Sequence, residues 1–518
     1  MPISPEALRM LLLQDDEIAL LDVREARQAF GAHIALARHA PLSSLELQIP
    51  AFVPRRDTPV VVYDEGDVPG GPADRAHALL SRVGWTDVRR LRGGLAAWQA
   101  ESLPTIDGYG ALIKSFGDLA RRHYRTPTVA HDELAARLAD LRPTIVVDVR
   151  PADEHAFLTI AGARNYPGTE AALRQWPSPA EPDALWAVHC FSRTRGIIGA
   201  TTLRLLGAGH VAFVEDGVMA WNLRGSPVER DAAPPDDLPA ASPALLRRRA
   251  DTLVSRYGLQ RITPEDLQAF RANATRSLYL FDLRPAGPSA LHPAGGARRV
   301  AGGQLLMHVE TLVGTRGARV VLIDEPHGLR AAVTAFWLTQ FNQCEVFVLE
   351  GPAPPCDPVE PPPPDDEHAL DAAALQALLA TGRAHVVDLA SSADYESGHI
   401  PGAFYLLPAS LAPADALIAS DRTVVFTSAD GASARLAARD TGARWLRGGT
   451  TAWKASALPL EAHFQPHQLL SPFDDDFGSV MRHAGPDRAA GWHAYLRWER
   501  GVADRIARDP TVRFRFFD

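Results

Sequence analysis

The chain has 518 residues, 46% of them hydrophobic and 22% charged, with a formal net charge of −9 from 53 basic and 62 acidic side chains. At roughly 100–200 residues per domain, that length excludes one compact unit and asks for three to five, and the ordinary composition excludes a disordered chain or a coiled coil. The acidic balance argues against a general nucleic-acid or anionic-membrane binder, so no nucleic-acid or membrane partner is expected, and small anions held at local basic sites remain as ligands.

The first residues lack a basic n-region and a small-residue cleavage site, and no apolar run approaches the ~20 residues that span a bilayer. Three cysteines without a CxxC pair cannot make a disulfide framework, so a reducing, cytoplasmic setting is expected. The first apolar run, Ile18-Ala-Leu-Leu-Asp22, reads as a buried parallel strand, and runs of the same kind end at Asp148, Asp282 and Asp388. Twelve residues after each Asp stands a related turn: Ile34-Ala-Leu-Ala, Ile160-Ala-Gly-Ala, Ala294-Gly-Gly-Ala and Ile400-Pro-Gly-Ala. Constant spacing over four copies is internal repetition.

Each copy continues with a second strand, at Val60-Val-Val-Tyr63, Ala187-Val-His189, Val320-Val-Leu-Ile323 and Val424-Val-Phe-Thr427. An Ala- and Leu-rich helix follows, as at 73–83 and 199–206, then a third strand and a Gly-containing turn. Three copies close with a Gly and a Trp four residues on, Gly94 with Trp98, Gly217 with Trp221 and Gly449 with Trp453, whereas the third has Gly351 and Pro355. Strands alternating with helices predict α/β units, each a parallel sheet flanked by helices. Proline- and acid-rich stretches, Asp231-Ala-Ala-Pro-Pro-Asp-Asp and Pro361-Pro-Pro-Pro-Asp-Asp, suit extended spacers between them. The predicted units are 1–104, 122–230, 258–353 and 366–460, followed by a C-terminal extension over 461–518. That extension ends in a helix with Trp492, Tyr495, Leu496, Val502 and Ile506 on one face, expected to pack as an arm against the units.

The run Asp394-Tyr-Glu-Ser-Gly-His-Ile-Pro-Gly-Ala403 and the closing Gly-Gly-x-x-x-Trp of the first and fourth units resemble the rhodanese family of sulfurtransferases. The loop Cys190-Phe-Ser-Arg-Thr-Arg195 resembles the active-site loop of a chain with four rhodanese domains and one reactive site. The resemblance implies four tandem rhodanese-like α/β domains and a nucleophilic Cys directly after the second strand. Cys190 stands there, 42 residues after Asp148, while the same step lands on Asp64 and Asp324 in the first and third units, and the strand end of the fourth gives Ser428. Neither a carboxylate nor a hydroxyl can carry a persulfide, so those three units are expected to be inactive.

A thiolate, not a thiol, attacks sulfane sulfur. A Cys between a strand and a helix has loop N–H groups and the positive helix end aimed at its sulfur. Arg193 and Arg195 add positive charge, His189 precedes the loop, and together these are expected to lower the thiol pKa, bind thiosulfate and hold a persulfide. On this reading Cys190 is the nucleophile and Arg195 the rim arginine. The N–H groups of Phe191, Ser192, Arg193 and Thr194 cradle the sulfur, and the Arg193 side chain meets the donor's oxyanion. Arg150 and Arg164 join the basic pocket unless structural ion pairs claim them. The implied reaction is double displacement from a small anionic donor, thiosulfate first, to cyanide, a thiol or a protein sulfur acceptor. No cofactor is expected, and no metal, because the 18 histidines include no HExxH and no Cys/His cluster.

Other readings stay open. A persulfide relay or scaffold would use Cys190 without turnover. A phosphatase or arsenate reductase would need five residues between Cys and Arg, where this loop has four, and a mercaptopyruvate-specific loop is glycine-rich where Ser192 and Arg193 stand. Cys344 is expected in the core, and Cys356 exposed in a proline-rich segment.

Overall fold

Each Asp-terminated run forms a strand in the computed structural model, which describes residues 2–176, 184–231, 235, 237–285, 294–355, 368–478 and 487–518: Ala19–Asp22, Thr144–Asp148, Leu278–Asp282 and Ala384–Asp388. Each lies parallel beside the second predicted strand of its unit, Val60–Tyr63, Leu185–His189, Arg319–Ile323 or Thr423–Thr427. Strands covered on both faces need apolar residues at successive positions rather than in alternation, which is why these segments read as continuous β-branched runs.

In the second unit the sheet runs Thr128–Val129, Val211–Val214, Leu185–His189, Thr144–Asp148, Arg164–Asn165 from edge to edge. The third and fourth units repeat this five-strand order, and the first has four strands plus a parallel bridge from Ile3 to Leu91. The closing Gly–Trp turns are short helices, Gly94–Ala100, Gly217–Leu223 and Gly449–Ala455. Each buried Trp donates its indole N–H to a proline carbonyl six residues on, Pro104, Pro227 or Pro459, at 2.9, 2.8 and 2.8 Å. In the third unit residues 351–355 form no helix.

The first three units and the C-terminal arm share one continuous core that includes Trp98, Phe116, Val188, Phe213, Trp337 and Val502. The fourth unit keeps separate clusters around Tyr395 and Phe426 and meets the first through Arg439 and Glu46, 2.8 Å apart. The linker between the first two units is itself a helix, Ala111–Tyr124. The C-terminal helix Asp487–Ile506 buries Trp492, Leu496, Val502 and Ile506 and leaves Tyr495 half-buried. Beyond it, Phe514 and Phe516 pack on Phe116, and Phe517 packs on Tyr257 and Phe336. The extension is thus the packing arm that its apolar face predicts.

Cys344 sits half-buried before the strand Glu345–Leu349, against the shared core, and burial pushes its thiol up to about 12. Cys356, the Pro361 spacer and most of the Asp231 spacer lie outside the described residues. Among the described residues no helix is long and apolar enough to cross a membrane.

Candidate active site

The strand Leu185–His189, buried along its whole length, delivers Cys190 to the C-terminal edge of its sheet, and the helix Thr194–Leu205 starts four residues later. The intervening loop is held from outside by the helix Gly217–Leu223. Val218 N–H donates to the Cys190 carbonyl at 3.0 Å and Met219 N–H to the Phe191 carbonyl at 2.9 Å. This approach requires Gly217, which has φ +60°: a Cβ there would stand 2.5 Å from the Cys190 oxygen and 2.7 Å from that of Ser192. With its carbonyls tied outward, the loop turns toward the first turn of its own helix, where the Gly196 N–H faces the Cys190 sulfur and favours the thiolate.

Cys190 is only 3% exposed. Burial pushes its thiol above the ordinary value; Arg195 and the Gly196 N–H pull it down, and Glu499 adds to the upward push. The expected lowering is therefore not what the folded site shows, because burial outweighs the pull of the cations, and three of the basic groups counted from sequence are neutral or engaged. His189 is fully buried, held neutral near neutral pH by burial that lowers it to about 4, with Nδ1 3.1 Å from the Cys190 carbonyl. Arg193 lies between two carboxylates, 2.6 Å from Asp118 and 2.9 Å from Asp216. It braces the loop against the linker helix and the Gly217 turn, so its guanidinium is not the free oxyanion contact that the sequence suggested. Arg150 is likewise claimed structurally, bonding Asp148 through Nε at 2.9 Å and Nη2 at 2.6 Å.

Arg195 keeps an electrostatic hold on Cys190 while making two bonds to Glu154, at 2.6 and 2.7 Å. Arg164 is on the edge strand, one strand further from Cys190 than Asp148, with Nη1 buried and unbonded. Phe191, Ser192 and Thr194 belong to the loop, but their side chains are covered rather than open. Phe191 meets Trp492 edge-on at 5.4 Å, Ser192 lies next to Tyr495 and Glu499, and the Thr194 hydroxyl donates to Glu499 at 3.4 Å.

The covering elements come from outside the second unit. Gly117 of the linker helix packs on Thr194 so closely that a Cβ would stand 2.8 Å from its methyl. The C-terminal helix lays Trp492, Tyr495 and Glu499 over the loop, and burial pushes the Glu499 carboxyl up despite Lys114 nearby. Sequence reading placed Tyr495 on a packing face but gave no sign that this face closes over Cys190, since such a contact joins residues some 300 positions apart. Lys114 and Glu499 were missed altogether for the same reason.

The matching positions elsewhere are filled by oxygen. Asp64 accepts from the N–H groups of Gly66, Asp67 and Ala73 at 3.2, 2.7 and 3.0 Å. Asp324 accepts from Glu325 and Ala331 at 2.8 and 3.2 Å, and Ser428 from Ala434 at 3.4 Å. The side chain itself satisfies the amides that would hold a sulfur anion.

A family model described as a rhodanese-like domain matches residues 4–101, 130–224 and 371–456. The crystal structure of a thiosulfate sulfurtransferase from Pseudomonas aeruginosa is 31% identical, with a TM-score of 0.89 over 100% of this chain and 99% of that one. An uncharacterized protein of Synechocystis is 34% identical over 112 residues, 21% of this chain and 59% of that protein. A probable 3-mercaptopyruvate sulfurtransferase of Pseudomonas aeruginosa is 44% identical over 71 residues, 14% of this chain and 24% of that protein. The chain thus spans less than two thirds of these curated relatives. The third unit falls between the matched segments yet repeats the strand order of its neighbours. With the repeated sheets, the strand-end Cys190 loop and a model matching over half of its length, the chain belongs to the rhodanese family.

Proposed function

We propose that this protein is a sulfurtransferase that moves sulfane sulfur from thiosulfate to a thiophilic acceptor through a persulfide on Cys190, in a reducing cytoplasmic setting. The observation that carries the reading is the Cys190 loop: a sulfur at the end of a central strand, faced by the Gly196 N–H and Arg195, where the other three units hold Asp64, Asp324 and Ser428. Cys190 first loses its proton to solvent. Its thiolate then attacks the outer sulfur of thiosulfate; the new bond joins Cys190 Sγ to that sulfur, and the old S–S bond breaks with its electron pair leaving on sulfite. Cyanide or an acceptor thiolate next takes the outer sulfur and returns the Cys190 thiolate. Two half-reactions sharing one covalent intermediate give ping-pong kinetics.

The structural likeness to a thiosulfate sulfurtransferase over the full chain supports thiosulfate as donor. A loop carrying Ser192 and Arg193 instead of glycines supports it over mercaptopyruvate. The test is intact mass after thiosulfate treatment and removal of excess donor. Wild type should gain about 32 Da, one sulfur, and lose it to cyanide, while Cys190→Ser should gain nothing and lose turnover by at least ~10³-fold. An adduct on the Ser variant, or retained turnover, would sink the assignment.

A further inference from the structure

Three of the four arginines expected in the basic pocket are engaged by carboxylates, Arg193 with Asp118 and Asp216, Arg195 with Glu154 and Arg150 with Asp148, and the fourth, Arg164, stands on the edge strand, one strand further from Cys190 than Asp148. A dianionic donor must reach Cys190 through a site that still offers positive charge. Lys114 supplies it. This residue lies on the linker helix one turn before Gly117, the point where that helix touches Thr194 of the loop. Its ammonium sits in an aromatic cage, 5.7, 5.2 and 4.9 Å from the ring centres of Tyr109, Tyr495 and Trp498, and donates to the Tyr109 carbonyl at 2.5 Å. Among the described residues no carboxylate forms a salt bridge with it. Tyr495, one wall of the cage, also neighbours Ser192 and Cys190.

A second observation comes from the whole chain. Of its 53 basic residues only two are lysines, Lys114 and the exposed Lys454. A protein that builds its ion pairs almost wholly from arginine keeps a lysine at the roof of its thiol site. The two cations differ in the relevant respect: guanidinium stays charged and pairs bidentately, whereas a caged ammonium is a compact point charge whose protonation responds to its surroundings. Burial lowers the Lys114 ammonium to about 8, against the upward pull of Glu499 and Glu310.

We propose that Lys114, delivered from outside the second unit and caged by the linker and the C-terminal helix, is the cation that binds the sulfonate end of thiosulfate. The inference rests on the persulfide reading above and names its donor-binding group. Charged or titratable groups facing Lys114 are Glu499, Arg195, Tyr109, Tyr495 and, from the third unit, Glu310 and His308.

Two measurements test it. In steady state with thiosulfate and cyanide, Lys114→Met should raise the KM for thiosulfate at least about tenfold with kcat within about threefold, and Lys114→Arg should recover most of the loss. In the Cys190→Ser background, calorimetric affinity for thiosulfate should fall as pH rises through about 8; that limb should vanish with Lys114→Met and move to higher pH with Lys114→Arg. A wild-type KM in Lys114→Met, or an unmoved limb in Lys114→Arg, would overturn the proposal, because the other facing groups are common to all variants. Should Lys114→Met not fold, the Arg variant alone decides by its limb. Wild type that takes up no sulfur from thiosulfate would bring down the persulfide reading and this proposal together.

Discussion

The second and fourth units share one strand order, and the loop after the central strand reaches its helix amide in the same six-residue step, Cys190 to Gly196 and Ser428 to Ala434. They differ in what stands behind that loop. In the second unit Asp148 accepts from Arg150, His155 and Thr159, and although burial pushes its carboxyl up, His189, His155 and Arg150 more than reverse this and hold it below the usual carboxylate range. In the fourth, Ala390 replaces the arginine, Asp388 accepts from one backbone N–H at 2.9 Å, and burial pushes its carboxyl up to about 6. A shared fold therefore does not carry a shared electrostatic interior. The unit with the thiol has a charge-balanced strand end and a roof borrowed from other units, while the unit with the hydroxyl has neither the balance nor Arg195, since Ser433 stands in that place.

The largest effect should come from breaking the balanced side. Arg150→Met leaves Asp148 buried without its arginine partner and should cost about 3–5 kcal/mol, read as a lower denaturant midpoint. A loss under 1 kcal/mol would mean that the pair is not what distinguishes the two units.

The unbalanced side should respond in the opposite direction. Because the folded pKa of Asp388 lies above its unfolded value, the native state binds that proton more tightly, and stability is fullest at low pH and falls as pH rises from about 4 through 6. Asp388→Asn should therefore stabilise the fourth unit by roughly 2–3 kcal/mol at pH 7, with the gain shrinking toward zero near pH 4. Thermal unfolding at both pH values checks the sign.

The smallest structural change tests the transplant directly. Ser428→Cys should alter stability by no more than about 0.5 kcal/mol. It should turn over thiosulfate at less than about one hundredth of the Cys190 rate in a chain carrying Cys190→Ser, since neither Arg195 nor the Lys114 cage faces it. Activity near wild type would show that the strand-end loop alone suffices.

Much of this was legible in the chain. Four buried strands ending in Asp, turns twelve residues on and three Gly–Trp closures gave the repeated parallel sheets, because fully buried strands and a glycine pressed against a neighbouring carbonyl constrain residue type locally. The same register singled out Cys190 among three cysteines. What sequence could not assign was the state of the charges. Arg193 and Arg195 read alike as loop cations until Asp118, Asp216 and Glu154 were brought beside them, and Asp118 lies 75 residues away.

Local spacing determined where strands, turns and the thiol would fall, since strand burial and loop geometry act over a few residues. Only the tertiary structure decided how deeply the thiol is buried, which loop cations carboxylates claim, and that Trp492, Tyr495 and Glu499 of the C-terminal arm close over it. Charge pairing and desolvation depend on distances between residues tens to hundreds of positions apart, and no local pattern records those distances.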